Sequence, residues 1–200
     1  MRSALILAGG RGRRMGYREK ALLPAGNRTI LEQTIEVLTR VTDEVIVSVR
    51  DVVQQEVLSG YTQGMDIVLD HYHDVGPLAG ILEGMKAAEG EYVFISGCDM
   101  PYLDAGVVQL LFDRARGHDA AIPVWENENL EPVHAVYRAR PLAIETEKAI
   151  LRDDTFVLAP IFKLNDVVFV DMEDIRVIDP GLRTFMNINT LEDIENMGED

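Results

Sequence analysis

Apolar runs of strand length alternate along this chain with segments whose apolar positions recur at helical spacing, the pattern of an α/β fold built on a mainly parallel sheet. Ser3 to Leu7 is almost continuously apolar, as suits a central strand covered on both faces. Thr29 and Glu32 are spaced as a capping box ahead of a helix that carries Ile30, Leu31, Ile35, Leu38 and Val41 on one stripe. A strand over Glu44 to Val49 follows, then a short helix from an Asp51 cap to Leu58, and a weaker strand from Asp66 to Leu69 that runs into Asp70. Ile81 to Ala88 reads as a helix. The strand Tyr92 to Ile95 then delivers Cys98 and Asp99 at its carboxyl end.

Further on, Asp104 opens a helix, Ala120 to Val124 reads as a strand, and Val133 to Tyr137 forms an apolar run after Pro132. A helix from Pro141 to about Leu151, a strand at Val167 to Val170 and a last short helix capped by Thr190 and Asp193 complete the pattern. There are no internal repeats, low-complexity stretches or obvious linkers. Residues 1–200 are therefore expected to form one domain, a three-layer α/β/α sandwich.

With 47% hydrophobic and 26% charged residues the chain is too apolar for disorder. Its first apolar stretch is too short for a signal-peptide core or a membrane span, which points to the cytoplasm. Cys98 is the single cysteine, so no internal disulfide or cysteine-based zinc cluster can form. The formal charge of −15 argues against nucleic acids and anionic membranes as partners. Against that background Arg11, Arg13, Arg14, Arg18 and Lys20 crowd around one glycine-rich stretch, opposed only by Glu19.

That stretch, Leu7-Ala8-Gly9-Gly10-Arg11-Gly12-Arg13-Arg14-Met15-Gly16, begins where the first strand ends. Glycines there let backbone N–H groups wrap phosphate oxygens. Two familiar phosphate loops fail on spacing. A Walker A loop needs four residues between its glycines and a Lys-Ser/Thr pair at once, but Gly10 and Gly16 enclose five and Lys20 stands apart. A dinucleotide fingerprint needs glycine where Met15 stands. A solvated basic turn is the plainer alternative. Asp99, followed by Pro101 beyond a central parallel strand, sits where open α/β sheets place their ligands, and a carboxylate there suits Mg²⁺ or, alternatively, the cap of the next turn.

The stretch LAGGRGRRMGYREKALLP resembles the signature of the molybdenum cofactor guanylyltransferase family, roughly LAGG-x-S/A-x-RMG-x-x-DK-x-L-L. GPLAGILEGMKAAEGEYVFISGCDMPYL resembles the same family's GPLAG segment and CDxP strand end, and NINTLEDI its NxNTPE/D segment. The three motifs fall in the family's order and span Leu7 to Ile194. Glu19 replaces the usual aspartate before the lysine, a change expected to matter little.

The resemblance implies a nucleotide-diphosphosugar-transferase-like fold and transfer of GMP from Mg-GTP to molybdopterin or the molybdenum cofactor. Leu7, Ala8, Gly9, Gly10, Arg14 and Lys20 would receive the phosphates, and Lys20 would stabilise the transition state as a point charge. Asp99 would hold Mg²⁺. Gly76 and Pro77 would approach the base, Asp70 would contribute to nucleotide binding, and Asn187 and Asn189 would position the acceptor phosphate or complete the metal shell, unless they are simply a turn and helix cap. Val47-Ser48-Val49 lacks the asparagine expected near the nucleotide, which leaves CTP open as the donor. Other readings are a nucleotidyltransferase loading a sugar 1-phosphate and a non-catalytic nucleotide sensor. Transient contact with cofactor-handling proteins is compatible with a labile acceptor. His71, His73 and Asp74 read as a solvated loop, Cys98 as a buried apolar residue, and Trp125 and Tyr137 as either pocket lining or packing.

Overall fold

The computed structural model describes residues 1–10, 19–188 and 193. Strand β1 (Arg2–Leu7) leads to a 3₁₀ turn at Lys20–Leu22 and a small antiparallel hairpin, β2 (Pro24–Ala25) and β3 (Arg28–Thr29). Helix α1 (Ile30–Thr39), strand β4 (Glu44–Val49), helix α2 (Val52–Leu58) and strand β5 (Asp66–Leu69) follow. Next come α3 (Leu78–Ala87), β6 (Tyr92–Gly97), α4 (Ala105–Ala115), β7 (Ala120–Val124) and β8 (His134–Arg138). The described chain ends with α5 (Ala139–Ile150), α6 (Leu158–Ile161), β9 (Val167–Asp171), α7 (Met172–Arg176) and a 3₁₀ turn at Arg183–Phe185.

The main sheet has seven strands in the order β5-β4-β1-β6-β8-β7-β9. All neighbours are parallel except the pairs that β8 makes with β6 and β7, so β8 alone runs in reverse. Alternation along β1 divides the core. Ala4 and Ile6 face a cluster with Leu31, Leu38, Val107 and Leu111 from α1 and α4, whereas Leu5 faces Leu78, Leu82 and Leu142 from α3 and α5. The result is the three-layer α/β/α sandwich, each face of the sheet sealed by apolar helix stripes.

Strand order also locates the ligand crevice. From β1 the chain steps outward through β4 and β5, then returns to place β6 on the other side of β1. Leu7 pairs with Ser48 on one flank and Gly97 on the other, so Ala8, Arg50 and Asp99 leave the sheet at a common edge, at its topological switch point.

Most predicted elements appear within one or two residues, and the differences have identifiable causes. Helix α3 begins at Leu78 rather than Ile81, within the GPLAG segment, with Pro77 at its cap. Gly80 and Gly84 weaken the sequence signal because glycine is a poor helix former. They let the helix lie against the sheet: side chains at these positions would run into Ser48 and Leu5. Helix α5 starts at Ala139, two residues before Pro141, because a proline in the first turn gives up only an N–H that has no intrahelical acceptor. The hairpin, α6 and α7 are too short to leave a periodic signal. Thr190 and the cap proposed for it lie outside the described residues. Among the described residues no helix is long and apolar enough to cross a membrane.

Candidate active site

Ala8 continues the β1 ladder by donating to the Ser48 carbonyl at 2.9 Å, which fixes the direction in which Gly9 and Gly10 leave the sheet. Arg11, Arg13, Arg14 and Arg18 lie outside the described residues. At Lys20 the chain enters its 3₁₀ turn, closed by Leu22 N–H to Glu19 O at 3.0 Å and Leu23 N–H to Lys20 O at 3.1 Å. The turn is anchored by buried Ala21, and Lys20 reaches across the strand ends to Asp99. Its Nζ lies 3.0 Å from Asp99 Oδ2, with the two side chains 20% and 26% exposed.

Asp99 is also tied to the last motif. Its carbonyl accepts from the Ile188 N–H at 2.9 Å, which sets exposed Asn187 beside the Lys20–Asp99 pair. Asn189 lies outside the described residues. Lys20, Asp99 and Asn187, widely separated in sequence, thus meet at one edge of the sheet.

The stems flanking residues 11–18 are joined by a side chain that sequence reasoning missed. Gln54, fully buried in the first turn of α2, donates from Nε2 to the Ala8 carbonyl at 2.8 Å and to Glu19 Oε2 at 2.6 Å. Its Oε1 accepts from the Arg50 N–H at 2.9 Å. The Arg50 guanidinium pairs with Glu19 in turn, so the glutamate that replaces the family's aspartate is held from two sides. Gln54→Leu would leave the Ala8 carbonyl and Arg50 N–H without their partner. It is expected to lower unfolding stability by about 2–3 kcal/mol, measured by urea denaturation.

Farther out on the β4–β5 side of β1, Asp70 donates its N–H to the Val49 carbonyl at 2.9 Å and is half-buried. Burial raises its carboxyl pKa above the ordinary range. The hydrogen bond from Ser48 opposes that rise, Glu83 adds to it, and His71 and His73 subtract from it. Gly76 adopts φ +60°, a conformation natural to glycine, and turns the chain into Pro77 and α3. Asp70 and the Gly76-Pro77 turn therefore border the same edge from the β5 side.

The remaining candidates resolve plainly. Tyr137 is fully buried and donates to the Pro132 carbonyl at 2.8 Å, so it packs. Trp125 stacks edge-on against Phe185 and donates to Glu131 at 2.7 Å. Burial pushes the Cys98 thiol up to about 12, which leaves it protonated and unreactive. His71 faces Glu83 at 3.2 Å. Among the described residues no group of three or more His, Cys, Asp or Glu side chains could hold a metal unaided. A single carboxylate at Asp99 instead fits Mg²⁺ carried in by phosphate oxygens, because that ion keeps most of its shell from phosphate and water.

His134, on β8, was not anticipated. It is fully buried, with Nδ1 3.2 Å from Met100 Sδ and Nε2 3.1 Å from the Thr184 hydroxyl, which itself accepts from the Asp104 N–H. These contacts brace the turn after Asp99 against the segment leading to Asn187. Burial lowers the His134 pKa from 6.5 to about 3, with Asp179 opposing the shift. The unfolded chain binds this proton near pH 6.5 and the folded chain does not, so stability falls as pH drops below 6.5. A slope of up to about 1.4 kcal/mol per pH unit is expected from this group in denaturation measured between about pH 6.5 and 5, and it should be missing from His134→Asn.

Residues 4–155 match the family described as the MobA-like NTP transferase domain. The chain is 50% identical to a probable molybdenum cofactor guanylyltransferase of Methanosarcina acetivorans, over 98% of this chain and 89% of that protein. It is 30% identical to the crystal structure of molybdopterin-guanine dinucleotide biosynthesis protein A from Archaeoglobus fulgidus, with a TM-score of 0.83 over 100% of this chain and 97% of that one. A 4-diphosphocytidyl-2C-methyl-D-erythritol synthase from Anaerococcus prevotii, 20% identical, shares the fold with a TM-score of 0.67 over 98% and 94% of the two chains. Sequence match, sheet order and the Lys20–Asp99 edge agree: this chain belongs to the MobA-like NTP transferase family.

Proposed function

We propose that the protein transfers GMP from Mg-GTP to the phosphate of molybdopterin or the molybdenum cofactor, releasing pyrophosphate and forming a molybdopterin guanine dinucleotide. The observation that carries this reading is the Lys20–Asp99 pair at the switch point of the sheet, set between the glycine stem and the Asn187 segment. Half-identical relatives described as probable molybdenum cofactor guanylyltransferases support guanine as the base and this cofactor as acceptor.

The chemistry follows from the geometry. The acceptor phosphate is already ionised, so attack on the α-phosphorus needs no general base. What the site must supply is alignment and positive charge as pyrophosphate leaves. Lys20 supplies an ammonium that Asp99 holds in place. The Ala8 N–H and carbonyl are already taken by Ser48 and Gln54, so the backbone offered beyond the end of β1 is that of Gly9 and Gly10. Arg14 adds a further charge in this reading. Asp99 would hold Mg²⁺, which when bound would neutralise charge developing on the phosphates. Asp70, Gly76 and Pro77 would serve the nucleoside, while Asn187 and Asn189 would position the acceptor phosphate. Such an enzyme works in the cytoplasm on GTP and can receive its labile acceptor through transient contact with cofactor-handling proteins.

The test is pyrophosphate release by purified protein with Mg²⁺ and molybdopterin, comparing GTP, CTP and ATP. Release with GTP well above the other two supports the reading. Release with CTP alone overturns the base, and release that needs a sugar 1-phosphate instead of the pterin overturns the acceptor.

A further inference from the structure

The geometry points to Ser48 as a positioning residue for the nucleotide: it orients Asp70 so that one carboxylate oxygen is spent inside the protein and the other is presented beside the phosphate-loop stem. This inference rests on the transferase reading above, because it takes the edge at β1 as the nucleotide site. Ser48 occupies the penultimate position of β4, in the stretch that lacks the expected asparagine, and is only 1% exposed. Its hydroxyl donates to Asp70 Oδ1 at 2.8 Å. The two residues lie on adjacent parallel strands, where Ser48 pairs in register with Val68 and Val49 with Leu69, so the hydroxyl meets the carboxylate just past the end of β5.

Two glycines from different motifs are fitted around this pair. A Cβ on Gly9, in the first motif, would stand 2.9 Å from Asp70 Oδ2. One on Gly80, in the GPLAG segment, would collide with Ser48 Oγ and press on Leu7 and the Ser48 Cβ. The stem of the phosphate loop and the first turns of α3 are thus both pared back to backbone where they meet the Ser48–Asp70 unit. With Oδ1 occupied by Ser48, Oδ2 is the oxygen that lies against Gly9, where the chain leaves the end of β1. An anionic acceptor there suits an N–H or O–H donor on the nucleoside, and not a phosphate. Ser48 therefore acts on binding of the nucleoside half through Asp70, away from the Lys20–Asp99 pair that stabilises the leaving pyrophosphate.

A double-mutant cycle read by binding and by turnover tests this. Mg-GTP affinity is measured by titration calorimetry, and KM and kcat by pyrophosphate release, for wild type, Ser48→Ala, Asp70→Asn and the double variant, with urea unfolding as a control for folding. Ser48→Ala should weaken GTP binding and raise its KM about ten-fold, with a much smaller change in kcat. In the Asp70→Asn background the same substitution should cost less than about two-fold, because the carboxylate it orients is gone. Equal losses in both backgrounds, or unchanged affinity in Ser48→Ala alongside a loss in Asp70→Asn, would overturn the inference. Wild-type protein that binds GTP without releasing pyrophosphate would contradict the transferase reading and leave the cycle readable from affinity alone. Wild-type protein that fails to bind GTP contradicts both.

Discussion

Asp99→Asn should lower kcat by about 10²–10³-fold at saturating GTP, the range found when a group that stabilises transition-state charge is removed. The substitution keeps the shape of the side chain and leaves the Ile188 N–H to Asp99 carbonyl bond untouched, so the turn after β6 should persist. What it removes is the negative charge. Lys20 Nζ then loses the ionic partner 3.0 Å away, and a cation carried by the phosphates loses its protein carboxylate. Added Mg²⁺ should restore little of the rate. Steady-state pyrophosphate release over a range of Mg²⁺ concentrations is the measurement, and near-wild-type kcat at any of them would remove Asp99 from the reaction.

Lys20→Met should fall in a similar range, about 10²–10³-fold in kcat. Methionine keeps most of the apolar stem and fits the one-fifth exposed position while deleting the ammonium. A smaller change in GTP KM is expected, because an interaction that strengthens as pyrophosphate departs acts mainly on the transition state. Lys20→Arg should recover only part of the loss. A planar guanidinium facing Asp99 favours a two-point pair with the carboxylate over a point charge on phosphate. Rapid-quench measurement of the chemical step separates this from slow product release, and a Lys20→Met enzyme with an unchanged chemical step would contradict the role.

The layered fold was legible because strand and helix periods alternate cleanly from Ser3 to Val170, and the caps at Thr29, Asp51 and Asp104 form the side-chain bonds that the spacing predicts. Lys20 and Asp99 stood out as candidates because the motif resemblance points to both and Asp99 also falls at the carboxyl end of a strand. Their direct pairing was not legible, since it depends on β1 and β6 being neighbours across a crossover. Gln54 and His134 were invisible to pattern reading. A glutamine in an amphipathic helix and a histidine in an apolar run carry no mark of the Ala8 carbonyl, Glu19, Met100 or Thr184 that they meet only after folding. Val47-Ser48-Val49 stood out only for lacking an asparagine, and the Ser48–Asp70 contact across the β4–β5 pair shows only after folding.

The central claim is that the nucleotide's α-phosphorus moves to the pterin phosphate. Incubating the protein with Mg²⁺, molybdopterin and GTP labelled at either the α- or the γ-phosphate follows that atom directly. Label from the α-position should appear in a pterin dinucleotide, label from the γ-position in pyrophosphate, and both should vanish with Asp99→Asn. Label that stays in GTP, or leaves as GMP with no labelled pterin, would contradict it.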